Sequence, residues 1–181
     1  MEYRLTVLIV ISLASLLSPP HSLAIDVEYQ IKAGFLGNFA KFVRWPPEIF
    51  ENSGSPYILG ILGEDPFGSF MDEAVEAFEI EGRRMVIKRF PNIATYEFCH
   101  ILFISSSQKT LLDPIFWKLK TLPTLTVSET AEFCKKGGMI NFIFVKNNIR
   151  FQINVGATEK AQLKVSSSLL SLAREIIPTQ N

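Results

Sequence analysis

Hydrophobic positions change period from one segment of the chain to the next, and the period sets which element each segment can form. From Asp26 to Arg44, apolar side chains recur at Val27, Ile31, Phe35, Phe39 and Phe42 with Val43. Steps of three and four put these on one stripe of an amphipathic helix. Asp26 is placed to cap it and Pro46-Pro47 to end it. Tyr57 to Gly63 is apolar without alternation and lies between Ser-Gly-Ser-Pro and Glu-Asp-Pro, the pattern of a strand buried on both faces. Phe67, Phe70, Met71, Ala74, Val75 and Phe78 return to helical spacing, and Gly82 introduces a strand from Arg84 to Phe90. Strand, helix, strand predicts a parallel crossover unit.

His100 to Ile104 reads as a further buried strand, followed by a helix through Pro114, Ile115, Phe116, Trp117 and Leu119 and a strand within Leu122 to Val127. Gly137-Gly138 then precedes Met139 to Lys146, apolar at nearly every position, and Asn147-Asn148 can supply the positive φ angles of a tight turn. In the segment that follows, Ile149, Phe151, Ile153 and Val155 alternate with Arg150, Gln152 and Asn154, so one face of that strand is wet. This predicts an antiparallel hairpin whose first arm is interior and whose second lies nearer an edge. Ala157 to Leu163 reads as a short helix, and Ser166 caps a last one carrying Leu169, Leu170, Leu172, Ala173 and Ile176. The expected architecture is a three-layer, Rossmann-like α/β fold: a mixed sheet with parallel early strands and a C-terminal antiparallel hairpin. No repeat or linker divides residues 25–181, so they form one domain.

Ahead of that domain, Arg4 precedes an apolar run from Leu5 to Leu17, broken only by Thr6, Ser12 and Ser15, and Ser18-Pro19-Pro20 stops any helix. Ser22-Leu23-Ala24 carries small residues at the spacing a signal peptidase requires. A bilayer-spanning helix needs about 20 apolar residues, more than this run supplies. Residues 1–24 are therefore expected to be a cleaved signal peptide, with an exported, soluble mature chain beginning near Ile25. Charge changes the picture by exclusion. Eighteen basic side chains balance eighteen acidic ones, 20% of residues are charged and there are 15 Phe. Such a chain has neither the field that gathers nucleic acid nor the composition of a disordered one.

Candidate chemistry is sparse. With His21 in the leader, His100 is the one histidine of the mature chain, too few for a triad or a zinc cage, and a histidine at a strand mouth bonded to backbone is the expected reading. Cys99 adjoins it, but successive strand side chains point to opposite faces. Cys99, His100 and Cys134 lack the closely spaced pairs of a structural zinc site. The turn Gly63-Glu64-Asp65-Pro66-Phe67-Gly68 sits where a phosphate could meet a helix start. Its two carboxylates and its proline argue instead for a capped turn. Asp72-Glu73-Glu76 reads as a solvated helix face. Ser105-Ser106-Ser107 and Ser166-Ser167-Ser168 lack the glycines of a nucleophile elbow. Neither a catalytic constellation nor a cofactor is indicated. Two cysteines in an exported chain leave two possibilities, a Cys99–Cys134 bridge worth about 4 kcal/mol by chain entropy or two thiols, between which geometry decides.

Several short motifs follow one another in a fixed order. Lys32-Ala33 with Phe35, Asn38-Phe39-Ala40-Lys41-Phe42-Val43 and Trp45-Pro46 come first. Then come Leu62-Gly63 with Asp65-Pro66-Phe67-Gly68, Gly82-Arg83, Cys99-His100 with Leu102-Phe103-Ile104, Thr126-Val127-Ser128, Gly137-Gly138-Met139-Ile140, Arg150-Phe151 with Ile153-Asn154, and a terminal Leu163 to Ala173. This set, spanning about residues 31–173, resembles the YfiR family of periplasmic regulators. The resemblance implies an exported α/β protein without catalysis. Such a protein binds the sensor domain of an inner-membrane diguanylate cyclase and holds it inactive, and an outer-membrane lipoprotein relieves the inhibition. Cyclic di-GMP and biofilm behaviour are the output, and a homodimer is a further family trait. The resemblance also implies that Asn38, Phe39, Phe42, Trp45, Pro46, Asp65, Pro66, Gly68, Phe151 and Asn154 are mainly structural, and it transfers no partner contact. The family carries two cysteine pairs. Cys99 and Cys134 align with one member of each, while Gly60 and Asn141 occupy the partner positions, so the resemblance implies two free thiols. A second expectation is a soluble module that presents a small molecule to a membrane sensor such as a histidine kinase. Its warrant is the ligand crevice that α/β sheets form at their strand carboxyl ends, together with the aromatic content.

Overall fold

The computed structural model describes residues 21–146 and 148–179. The apolar run read as the signal core, and Asn147, lie outside the described residues.

The first helix, α1 (His21–Phe42), ends before Trp45-Pro46, where the residue preceding proline is pushed out of the helical region. It continues past Asp26 toward the N-terminus, so Asp26 lies within the helix and does not cap it. Its buried face is also rotated from the predicted stripe. Lys32, Ala33, Leu36, Phe39 and Ala40 face the core, while Val27 and Ile31 are 53% and 47% exposed and Phe35 is half-buried at the seam. Hydrophobic period counts Lys32 as polar and so turns the helix by one residue. A buried ion pair, described below, turns it back.

After α1 come a two-residue strand, β1 (Val43–Arg44), and then β2 (Tyr57–Leu62), α2 (Ser69–Glu76), β3 (Glu79–Ile80) and β4 (Arg83–Phe90). Next are β5 (Ile101–Ile104), α3 (Leu112–Leu119), β6 (Leu125–Ser128), β7 (Ile140–Val145) and β8 (Asn148–Asn154). The chain closes with α4 (Val155–Lys160), β9 (Lys164–Val165), α5 (Ser167–Leu172) and β10 (Glu175–Ile177). One mixed sheet runs in the order β10-β8-β7-β6-β5-β2-β4-β3, and β1 pairs separately with β9. Strands β4, β2, β5, β6 and β7 are mutually parallel, and β7 with β8 forms the antiparallel hairpin.

Burial on both faces explains the unbroken apolar runs of β2 and β5. Leu59, Ile61, Ile101, Phe103, Leu125 and Val127 belong to the larger core under α1, α2 and α5. The alternate residues Leu62, Leu102 and Ile104 meet Leu112, Ile115 and Leu119 of α3 on the other face. Three layers result, as the alternating elements predicted. At the larger core's centre, Phe39 of α1 stacks on Phe142 and meets Phe151 edge-on, with ring centroids 5.9 and 5.4 Å apart.

Further boundaries differ from the pattern reading, among them the start of α4 at Val155, two residues before Ala157. The short β3, which doubles back onto β4, joins it through Glu81 (φ 53°) and Gly82 (φ 77°). In the β7–β8 hairpin Val145 pairs with Asn148, so the turn begins at Lys146 (φ 49°), one residue earlier than Asn147-Asn148. The last helix also stops early. Ser166 caps α5 by accepting from the Leu169 amide, but the chain turns extended at Ala173, and Arg174 N–H donates to Phe151 O at 2.8 Å. Residues 175–177 therefore add a parallel strand to β8, and Ile176 lies on that strand. Two turns of helical period were too few to separate a long helix from a helix followed by a strand.

Gly37 marks the crossing of α1 over the end of α2. A Cβ there would lie 2.0 Å from the Phe78 ring. Helix propensity alone would make Gly37→Ala stabilising by about 1 kcal/mol, but overpacking costs about 1–3 kcal/mol. Urea denaturation should show net destabilisation by Gly37→Ala in the wild-type background and stabilisation in a Phe78→Ala background. The same sign in both would mean the ring does not set the crossing distance.

Candidate functional site

In an open α/β sheet a ligand is expected beyond the strand carboxyl ends, where the strand order reverses. That point lies here between β2 and β5, where the Ser107 and Gln108 side chains approach Gly63. Gly63 turns the chain with φ 92°, and a Cβ on it would lie 2.4 Å from Ser107 Oγ and 2.8 Å from the Gln108 side chain. Ser107 Oγ accepts from Glu64 N–H at 3.1 Å. The following turn is closed by Asp65, whose Oδ1 accepts the Phe67 amide at 2.8 Å and whose Oδ2 accepts Arg89 Nε–H at 2.7 Å. Arg89 also makes a bidentate pair with Asp72, holding that carboxyl below its ordinary range. Asp72 therefore clamps α2 to β4 and is not simply part of a solvated helix face. Phe67 is buried between Tyr29 and Phe103.

Beside this crevice lies a buried ionic group. Lys32, 2% exposed, pairs with Glu28 one turn earlier on α1 and with Glu129, which follows β6. The other oxygen of Glu129 accepts from Tyr29 OH at 3.0 Å. Burial, together with the Glu129 charge, raises the phenol's pKa and keeps it a donor. The three acidic or phenolic groups surround one ammonium, so the cluster is satisfied from within.

At the opposite end of the sheet, His100 sits in an aromatic cage. Its ring stacks on Phe50 with centroids 4.7 Å apart and meets Trp45, Tyr57 and Phe98 edge-on. Ile58 N–H donates to Nδ1 at 3.0 Å, which assigns the ring proton to Nε2. Burial, with Arg83 adding repulsion, pushes His100 down to about 4, so the ring is neutral at physiological pH. Arg83 lies 4.2 Å over the Phe50 ring and donates to Asn52 O and Ser55 O at 2.7 and 2.8 Å, fastening the loop that closes the cage. Trp45 Nε1 and His100 Nε2 are both buried without a hydrogen-bond partner among the described residues.

The remaining motif residues are spread over both ends. Asn38 Nδ2–H donates to Gly34 O within α1, and Phe42 packs half-buried against the larger core. Pro46 follows Trp45 into the 3-10 turn at Pro47–Ile49. Pro66 lies inside the Asp65 turn, and Gly68 (φ 54°) starts α2. Asn154 caps α4 by accepting from the Ala157 amide at 2.9 Å, while its Nδ2–H donates to Cys134 O at 2.8 Å. The cysteines are two separate buried thiols. Cys99 packs in the α3-side core, and a Cβ on Gly60 would lie 2.8 Å from its Sγ. Cys134 lies against the carbonyls of Met139 and Gln152, in the strand pair that also carries Asn141. Burial pushes both thiols up to about 12, so neither is poised as a nucleophile. Cys99 and His100 turn into different environments, and no cluster of three metal-binding side chains occurs among the described residues. No described helix is long and apolar enough to cross a membrane.

A family model described as YfiR/HmsC-like matches residues 29–174. The chain belongs to that family. YfiR/HmsC-like proteins are periplasmic regulators associated with cyclic di-GMP signalling and are regulatory, not catalytic. In this YfiR/HmsC-like domain the sequence motifs locate the cage and the Asp65 turn, but three functional groupings escape pattern reading. Glu129 is 97 positions from Lys32, and Arg83 reaches the cage from another strand. A ring of lysines, considered below, gathers from three separate segments.

Two measurements test the buried groups. Lys32→Met leaves Glu28 and Glu129 without their cation and should cost about 3 kcal/mol in thermal or urea unfolding, with at least half recovered in Lys32→Met/Glu129→Gln. A neutral single variant would show that the ammonium does not orient α1. For His100, the ordinary value of 6.5 falls to about 4 on folding. As pH drops, the unfolded chain takes up the proton first, so the full stability contribution is present above about pH 6.5 and is lost toward pH 4, up to about 3 kcal/mol. His100→Asn retains an acceptor for Ile58 N–H but cannot titrate, and its stability should fall less than wild type between pH 7 and 4.5. Equal slopes would remove the cage from the acid response.

Proposed function

We propose that this protein is a periplasmic regulatory subunit that binds the sensor domain of an inner-membrane signalling protein, a diguanylate cyclase, and holds it inactive. Membership of the YfiR/HmsC-like family across residues 29–174 carries this reading. Export after cleavage near Ala24 belongs to the same proposal, as does release by an outer-membrane lipoprotein. The chemistry of the interior supports binding over catalysis: the buried histidine is neutral, the thiols are protonated, and the paired carboxylates serve Lys32 and Arg89.

The surface offers a place for the contact. Val27 and Ile31 lie one turn apart on the outer side of α1, and Phe144 of β7, 59% exposed, lies 5.6 Å by its ring centroid from the Lys32 ammonium beside them. An apolar face of this kind, rimmed by charge, suits a protein partner. A regulator changes output only if it binds two states of its partner unequally.

Deleting the gene should raise cellular cyclic di-GMP, and the wild-type gene should restore it. An exported Ile31→Asp/Phe144→Asp variant, with its melting temperature within a few degrees of wild type, should fail to restore it. An unchanged level in the deletion strain would remove the cyclase as partner, and full complementation by the variant would remove this face.

A further inference from the structure

A cavity of about 500 Å³ opens at the edge of the molecule between α3, α4 and β10, and the charge around it is one-sided. Lys120, Lys135, Lys136 and Lys160 line it, and no carboxylate does among the described residues. The chain as a whole balances eighteen basic side chains against eighteen acidic ones, so this is local segregation. Of the acids nearest to hand, Glu132 pairs with Lys135, Glu175 accepts from Gln152 and Glu159 accepts from Thr179. Lys120, Lys136 and Lys160 have no ion-pair partner among the described residues.

The lysines are exposed, and apolar side chains form part of the wall they surround, with Leu119 and Met139 buried and Phe116 and Ile177 half-buried. The polar groups in the wall are already satisfied. Thr126 Oγ1 accepts from Met139 N–H, and Asn154 bonds the Cys134 carbonyl and the Ala157 amide. Three lysines outside any ion pair at the mouth, with apolar side chains within, are the complement of one ligand chemistry, an acidic head on a hydrocarbon body. The volume falls within the range of small-molecule sites, roughly 300–1,000 Å³.

We propose that this cavity binds an amphipathic organic anion, its phosphate or carboxylate held by Lys120, Lys136 and Lys160 and its apolar portion against Phe116, Leu119 and Ile177. The site lies away from the Val27, Ile31 and Phe144 face, and the proposal stands whether or not the partner is a cyclase. Trp117, which lies within 5.1 Å of the Lys120 ammonium by ring centroid, places a reporter at the mouth.

Decyl phosphate, below its micellar concentration, should bind the full chain saturably at one site by calorimetry and shift tryptophan fluorescence. Lys136→Gln/Lys160→Gln should weaken binding at least tenfold. Ala157→Phe, which keeps the lysines and fills the cavity, should weaken it as much. Both variants should melt within a few degrees of wild type without the probe, and decyl maltoside should bind wild type at least tenfold more weakly than decyl phosphate. Inorganic phosphate binding as tightly as decyl phosphate would overturn the amphipathic assignment. Non-saturable uptake, or equal affinity in the variants, would overturn the site.

Discussion

Placing one ammonium in the interior constrains how the two halves of the larger core meet. Lys32 can be buried only where carboxylates meet it, since an unpaired charge costs several kcal/mol out of water. One partner, Glu28, travels with it on α1, but the other, Glu129, belongs to the end of β6. The rotation of α1 about its own axis is thereby tied to the sheet. With Lys32 facing Glu129, Leu36, Phe39 and Ala40 must point into the core, and Val27 and Ile31 must point out. The apolar face available to a partner is thus set by a buried charge.

The two ends of the parallel strands have been put to different uses. At the carboxyl ends, where doubly wound proteins commonly hold a ligand, lie Ser107, Gln108, Phe67 and the Lys32 cluster. At the other end lie the His100 cage and, under the hairpin, the lysine-ringed cavity. The two ends of the sheet thus present different chemistry to their surroundings.

Much of the fold could be read from the chain because its signals are local. Unbroken apolar runs located β2, bounded by Gly, Pro and acidic residues, and β5, and Ser166 located the start of α5 with its cap intact. The misreadings share a cause. Ile176 fits a helical stripe until Arg174 N–H finds the Phe151 carbonyl, and Lys32 looks like a solvent position until Glu129 arrives from far along the chain. Both depend on a partner distant in sequence, which period cannot register. The site was legible to the same extent. The Asp65 turn and the protein-bonded His100 followed from their neighbours. The Arg83 contribution to the cage and the gathering of four lysines did not.

Rigidity bears on how such a protein could regulate. A shift between two partner states is bounded by the difference in affinity for them, about 1.4 kcal/mol for each factor of ten. A body that deforms to fit both states gives up part of that difference. Here α1 is fixed at three places: by Lys32 to β6, by Phe39 to Phe142 and Phe151, and by the Gly37 crossing with Phe78. Its outward residues Val27 and Ile31 consequently keep one orientation relative to Phe144 on the sheet. A partner surface that matches this spacing in one state and mismatches it in the other is discriminated by shape, without any change in the regulator itself.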